Sequence, residues 1–122
     1  MIYIDGDALK TLRPNEQYVW MGSGYSGLTW LESSTPPTES EINTELTRLN
    51  NAEPMRLLRV ERDKRLAACD WVSAKATDTG VAVTAAWKTY RQALRDMTTQ
   101  TPKLDSRFEL DLTSVNWPTQ PS

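Results

Sequence analysis

The chain has 122 residues, of which 39% are hydrophobic and 25% charged, with a formal net charge of -2. This composition speaks against nucleic-acid binding, which usually shows as a clustered basic excess. The apolar runs are far shorter than the roughly 20 residues of a membrane helix, and the start carries no signal-peptide pattern. We therefore expect a small cytosolic protein of one compact domain, or a helical domain with an appended sheet element, that has no nucleic-acid or membrane partner.

The first third of the chain predicts a short helix followed by a β-hairpin. Residues 7–12 place apolar side chains at helical spacing and stop before Pro14, which favours a helix. Residues 18–21 and 28–31 are rich in aromatic and β-branched types, which favour strands. The glycine-rich residues 22–27 between them lack the lysine and helix start of a phosphate loop, so they predict a hairpin connection.

A linker and a helix start come next. Residues 33–37 end in two prolines, which favour extended backbone and lack amide donors. Thr38 and Glu41 have the spacing of a capping box, in which each side chain bonds to the other residue's amide. The sequence therefore predicts that a helix begins at Thr38.

Pro54 divides the helical part of the sequence. Because proline costs about 3 kcal/mol inside a helix but is tolerated in a first turn, we expect the first helix to end near Asn50 and a second to restart at Pro54. A kinked continuous helix is the alternative. The second helix is expected to continue to a loop at residues 78–80, and a third helix to begin near residues 81–84.

Two apolar stripes support these helices. Residues at helical spacing form a stripe on the second helix, comprising Met55, Leu58, the stem of Arg62, Leu66 and Cys69. The third helix carries a clearer stripe of Trp87, Tyr90, Leu94 and Met97. After Asp96 the chain turns polar, and apart from a strand expected over residues 108–112 it reads as irregular.

The fold class that follows is α+β. It combines a small N-terminal antiparallel β-hairpin element, a helical hairpin or three-helix module, and an extended C-terminal tail. The corresponding segments are residues 1–35, 36–100 and 101–122.

The available side chains argue against an enzyme. The chain has no histidine, the commonest general base near neutral pH and the commonest zinc ligand. Acids such as Glu39 and Asp105 lie in segments where a solvated role is the expected one, although a small enzyme acting on sugars through them is an alternative. The single Cys69 is expected to be a buried hydrophobe. We expect no catalytic residue, cofactor or metal.

Five tryptophans are more than one small core normally needs. Trp20 and Trp30 can share one face of the hairpin, and Trp87 lies on a helical stripe, so core packing is expected for these three. Trp117 lies outside any periodic element and precedes Pro118. It either folds back onto the helices or docks into a partner.

Three blocks of the second half together form a recognisable pattern. They are Arg62-Asp63 followed by Asp70-Trp71, the helix WKTYRQALRD over residues 87–96, and VNWPTQP over residues 115–121. This set resembles the C-terminal module of phage tail assembly chaperone and tail fibre assembly proteins. The segment 103–112 departs from that pattern as an apparent insertion.

The resemblance implies a helper protein without catalysis. It would bind a tail fibre, expected to be trimeric, or a baseplate protein, and assist its folding or attachment in the host cytoplasm. Retention in the virion tail and self-association on the fibre are left open. The partner-binding residues that it implies are Trp71, Trp87, Tyr90, Arg91, Arg95, Asp96, Trp117 and Pro118.

Two alternatives accompany this interpretation. Arg91 and Arg95 could instead pair with Asp70 or Asp63 of the neighbouring helix and lock the helices together. The whole protein could be a permanent virion component, either a baseplate or a fibre-connecting subunit, with the hairpin as its docking element.

Overall fold

The computed structural model describes residues 3–22 and 24–122. In chain order they form helix α1 (Asp5–Leu12), strands β1 (Tyr18–Trp20) and β2 (Leu28–Trp30), and helices α2 (Glu39–Ala68), α3 (Trp71–Thr79) and α4 (Ala85–Arg95). Contacts divide the chain into two compact units, one up to Glu53 and one from Pro54 onward. The predicted α+β class, with a hairpin ahead of three helices, is confirmed. No helix in the described part is long and apolar enough to cross a membrane.

The predicted hairpin forms, and it places its aromatic residues on one face. Tyr18 pairs with Trp30 and Trp20 pairs with Leu28, so alternation puts these four side chains on the same side. They pack against the buried Leu9 of α1 and the buried Ile42 of α2, while the intervening Val19 and Thr29 are exposed. Core packing of Trp20 and Trp30 is confirmed.

Gly27 closes the hairpin because no larger residue fits there. A Cβ at this position would lie 1.9 Å from the carbonyl oxygen of Met21. The Met21 amide donates to the Gly27 carbonyl at 2.9 Å. The ends of the two strands therefore approach closely only with glycine at this position.

The linker packs more tightly than its composition suggests. Pro37 is fully buried, and its carbonyl oxygen accepts a hydrogen bond from the Tyr25 hydroxyl at 2.7 Å. The capping box follows as predicted. The Glu41 amide donates to the Thr38 hydroxyl at 3.1 Å, and the Thr38 amide donates to the Glu41 carboxylate at 3.3 Å.

The predicted break at Pro54 is wrong, because α2 continues through it. The proline removes one amide donor from the helix ladder. Apolar side chains are buried on both sides of it, Ile42 in the first unit and Leu58 in the second, and each contributes roughly 1.5–3 kcal/mol. Together these contributions are at least as large as the cost of about 3 kcal/mol that favoured a restart.

The helix expected from residue 54 to residue 78 is also wrong, because a turn at Cys69-Asp70 splits it. The turn separates α2 from α3 and lets both Cys69 and Val72 pack against α4. The loop predicted at 78–80 is shifted to residues 80–84, so the next helix begins at Ala85 and not within 81–84. Gly80 is left-handed at φ 72° and donates its amide to the Ala76 carbonyl at 3.0 Å. Such a glycine is a common helix end.

The strand expected over residues 108–112 does not form. Phe108 is left-handed, with φ 63°, and the only pairing in this region is an isolated bridge between Leu104 and Leu110. The Asp105 carboxylate accepts the amides of Arg107 at 2.8 Å and Glu109 at 3.0 Å. These local bonds favour a turn over a strand.

We predict that Thr38→Ala lowers the free energy of unfolding by about 1 kcal/mol, because the substitution removes the N-cap acceptor of α2. Urea denaturation followed by circular dichroism measures the change. Thr44→Ala is the matched control in the same helix, where the exposed threonine caps nothing. An equal loss in both variants would contradict the capping role.

Candidate protein-binding surface

The second unit contains two buried apolar clusters that share one tryptophan. Cys69, Val72, Tyr90 and Leu94 form the first cluster, and Leu58, Met97 and Val115 form the second. Trp117 is half-buried and packs against both. The predicted stripes of the second and third helices are confirmed by these clusters.

Besides this packing, two polar contacts fix Trp117. Its indole Nε1 donates to the Leu112 carbonyl at 3.1 Å, and the Arg65 guanidinium carbon lies 4.0 Å from the ring centroid. The Arg65 Nε in turn bonds to the Glu61 carboxylate at 3.0 Å. Of the two roles expected for Trp117, the structure shows the fold back onto the helices.

The tail ahead of Trp117 is shaped by Asp111. Its carboxylate accepts the Thr113 amide at 3.0 Å and the Thr113 hydroxyl at 2.6 Å, and these bonds hold the pKa of Asp111 below its usual value. They define the short 3-10 turn Leu112–Ser114. That turn carries the Leu112 carbonyl to which the Trp117 indole donates.

Arg91 is an internal anchor and not a free cation. Its guanidinium donates to Asp70 Oδ1 at 3.1 Å, to Cys69 Sγ at 2.9 Å and to the Leu66 carbonyl at 3.3 Å. Burial lowers the pKa of Arg91, but the hydrogen bonds to Asp70 and Cys69 more than offset this, so its pKa is raised. The expected pairing of Arg91 with Asp70 is confirmed.

Arg95 behaves differently from Arg91. It is exposed, and among the described residues its guanidinium bonds only to the Gln92 side-chain oxygen, at 3.4 Å. Asp96 is also exposed and accepts from Gln92 Nε2 at 3.0 Å. Asp63, the other expected partner, instead bonds to Arg62 at 3.0 Å. Arg95 and Asp96 therefore remain at the surface on one side of α4.

Aromatic rings lead from the core of this unit to its surface. The buried Tyr90 ring meets the half-buried Trp87 ring edge to face, with centroids 5.8 Å apart. Trp87 meets Trp71 in the same way at 5.5 Å. Trp71 is 53% exposed, which is unusual for so large an apolar side chain. The series of ring contacts thus ends in the solvent-exposed indole of Trp71, which packs against the Trp87 ring.

A shallow groove of about 170 Å³ begins at Trp71 and runs between α3 and the start of α4. It is lined by Trp71, Val72, Lys75, Ala76, Thr79, Val81, Ala82, Val83, Thr84 and Trp87. A larger and more open groove of about 760 Å³ follows α4 and includes Lys88, Arg91, Arg95 and Asp96. We define the Trp71 groove, with its lining residues, as the candidate surface.

The eight residues expected to bind a partner are thus distributed unevenly. Tyr90 is buried, and Trp117 and Arg91 are held by internal contacts. Trp71, Arg95 and Asp96 are exposed, and Trp87 and Pro118 are half-buried. Partner binding by the eight stays a prediction. Lys75 and residues 81–84 are not among these eight. Residues 81–84 were expected only as the start of the third helix, and a β-branched run was the one sign that they differ from it.

Neither of the two acids considered for catalysis is among the residues that line this groove. Asp105 is engaged by two backbone amides, and Glu39 lies in the first turn of α2. Within residues 3–22 and 24–122, no three Cys, Asp or Glu side chains are grouped so that they could hold a metal ion.

Comparison with known proteins gives one match. The model of a family described as phage tail assembly chaperone protein matches residues 55–122, which is more than half of the chain and nearly coincides with the second compact unit. There is no significant match among curated proteins or among solved structures.

We predict that Trp117→Ala lowers the free energy of unfolding by about 2 to 4 kcal/mol, because burial and the Arg65 contact are both lost. Urea denaturation measures the change. Trp71→Ala, which removes the same side chain from an exposed position, should cost less than about 1 kcal/mol. Equal losses would contradict the inward role of Trp117.

We also predict that the two arginines of α4 differ. Arg91→Lys should cost about 1 to 2 kcal/mol, because an ammonium cannot reach Asp70, Cys69 and Leu66 together. Arg95→Lys should change the stability by less than about 0.5 kcal/mol. Thermal unfolding of both variants at one pH compares them, and a tolerant Arg91 would refute the internal anchor.

Proposed function

The chain belongs to the phage tail assembly chaperone family, and on that premise we propose that it binds a tail fibre or another tail protein and assists its folding or attachment without catalysis. The family places the protein in phage tail assembly. The identity of the client and the manner of binding are the proposed parts. The absence of histidine supports a function that rests on binding.

The observation that carries the proposal is the exposed Trp71. Tryptophan is enriched among the few interface residues that supply most of the binding free energy. Trp71 is held edge-on by Trp87, so little conformational freedom is lost when a partner covers it. The residue lies within the family match.

The need for such a surface follows from the chemistry of a growing fibre. Proteins rich in non-local strand pairing expose apolar surface and unpaired strand edges before they assemble, and these regions aggregate. A small protein with a rigid aromatic groove can cover one such region until the correct neighbour displaces it. We place this activity in the host cytoplasm during assembly.

A second candidate function, a permanent virion subunit, is favoured by one observation. The first unit lies wholly outside the family match, and its hairpin exposes Val19, Met21 and Leu31. Those apolar side chains would suit a fixed docking element on a baseplate or fibre. Recovery of the chain from washed particles would favour this alternative over a chaperone that is released.

Co-expression with the tail fibre protein of the same phage tests the leading proposal. We expect the two proteins to copurify, and we expect Trp71→Ala to reduce the apparent affinity at least about tenfold, which is the size of an interface anchor. Phe108→Asn is the control, since Phe108 is another exposed aromatic of the same unit and asparagine tolerates its left-handed backbone. If neither the parent chain nor the control associates with the fibre or another tail protein, the proposal fails.

A further inference from the structure

Residues 81–84 form an extended segment with unpaired backbone groups. Its sequence, Val-Ala-Val-Thr, favours a strand, and Thr84 has φ -64° and ψ 156°. The Val81 amide bonds to the Thr79 hydroxyl at 3.3 Å. In the part of the chain that the structure describes, the amides of Ala82, Val83 and Thr84 donate to no acceptor. The segment follows an extended course without a turn or bend, and no described strand pairs with it.

The segment is anchored at Val83 and at both of its ends, although no described strand pairs with it. The half-buried Val83 packs against the cluster that contains Tyr90 and Leu94. At its end, Thr84 caps α4, since its hydroxyl accepts the Trp87 amide at 3.4 Å and its carbonyl accepts the Lys88 amide at 3.1 Å. At its start, Gly80 is fixed by the end of α3. An edge fixed in this way is ordered before any partner arrives, which lowers the entropic cost of pairing.

The Trp71 groove lies directly beside this edge, because residues 81–84 form one of its walls. Its opposite wall carries Trp71 and Lys75 on α3. No carboxylate is among the groove's lining residues, so Lys75 is the one charged group there. The groove therefore favours an apolar side chain flanked by an acidic one.

We propose that residues 81–84 are an edge to which an unpaired β-strand of the tail protein adds, with an apolar side chain in the Trp71 groove and a carboxylate near Lys75. This inference rests on the proposed function and specifies how the client is bound. A strand is the occupant that fits, because it can satisfy the free amides. A helix cannot do so, since its own backbone groups are already paired.

The edge is only four residues long, and so short an edge is expected to form a transient complex. Four residues offer two or three backbone hydrogen bonds, and each contributes roughly 0.5–1.5 kcal/mol net. The indole contact supplies the remaining affinity. Such a site binds an unfinished strand edge and can be displaced by the longer pairing of the assembled client.

Hydrogen exchange on the copurified complex of this chain and the tail fibre protein tests the inference. In the free chain the amides of residues 82–84 should exchange rapidly, and in the complex at least one should exchange at least tenfold more slowly. A complex that forms without this protection overturns strand addition but leaves the proposed function intact. Failure to form any complex overturns both. Protection in the free chain that rises with concentration would assign the edge to a second copy and overturn the proposed occupant.

Proline substitutions give an independent readout. Adjacent amides of an extended chain point to opposite sides, so one of Ala82→Pro and Val83→Pro must remove a donor that faces the added strand. That variant should bind the tail fibre protein at least tenfold more weakly, with its helical circular dichroism unchanged. Ala85→Pro is the matched control, because the first helical position tolerates proline, and it should bind within twofold of the parent chain. Parent-like binding by all three variants would overturn the proposal.

Substitution of two exposed lysines of the same unit tests whether the bound strand carries a carboxylate near Lys75. Lys75→Glu should weaken binding at least fivefold, and Lys103→Glu, away from the groove, should change it less than twofold. Equal effects would mean that net charge governs the association and would overturn the acidic part of the proposed motif.

Discussion

The second unit depends on one tryptophan that returns from the tail to the helices. Trp117 touches both buried clusters, lies under the Arg65 guanidinium and donates its indole hydrogen to the Leu112 carbonyl. Without it, the described tail from residue 101 onward would have little apolar surface to bury, since the strongly buried residues there are otherwise Pro102 and Val115. The irregular tail is therefore an ordered part of the fold, although it contains almost no regular secondary structure.

Because Trp117 packs against the helices and Arg91 bonds within the unit, neither side chain is available to a partner, which must contact other groups. The side chains that stabilise the unit face one another, and the aromatic chain from Tyr90 through Trp87 ends in the exposed Trp71. The surface that remains combines a supported indole, a lysine and an unpaired backbone edge. That combination suits the capture of unfinished β structure, a recurrent need when fibrous tail proteins assemble.

Much of this fold follows from local sequence rules, and the exceptions have physical causes. Strand alternation correctly predicted that Trp20 and Trp30 share the packed face of the hairpin. Helical spacing correctly predicted that Tyr90 and Leu94 are buried. Both succeed because the spacing of apolar residues along a strand or helix directly reflects which side is buried. The sequence leaves open whether the helix restarts at Pro54 or continues through it with a kink, since the outcome depends on burial on both sides of the proline. The folded-back position of Trp117 likewise depends on Arg65, which is 52 residues away in sequence and adjacent only in space. Lys75 and residues 81–84 line the same groove only because the turn at Cys69-Asp70 reorients α3, so the sequence alone does not show that they are neighbours.

The most direct test of this account is fluorine NMR of the chain labelled with 5-fluorotryptophan, recorded before and after addition of the tail fibre protein. Each indole reports its own environment, so the inward and outward tryptophans are observed in one spectrum. The account predicts that the Trp71 resonance shifts or broadens, with Trp87 following, while Trp117 keeps its position. A complex in which Trp117 moves and Trp71 does not would contradict it.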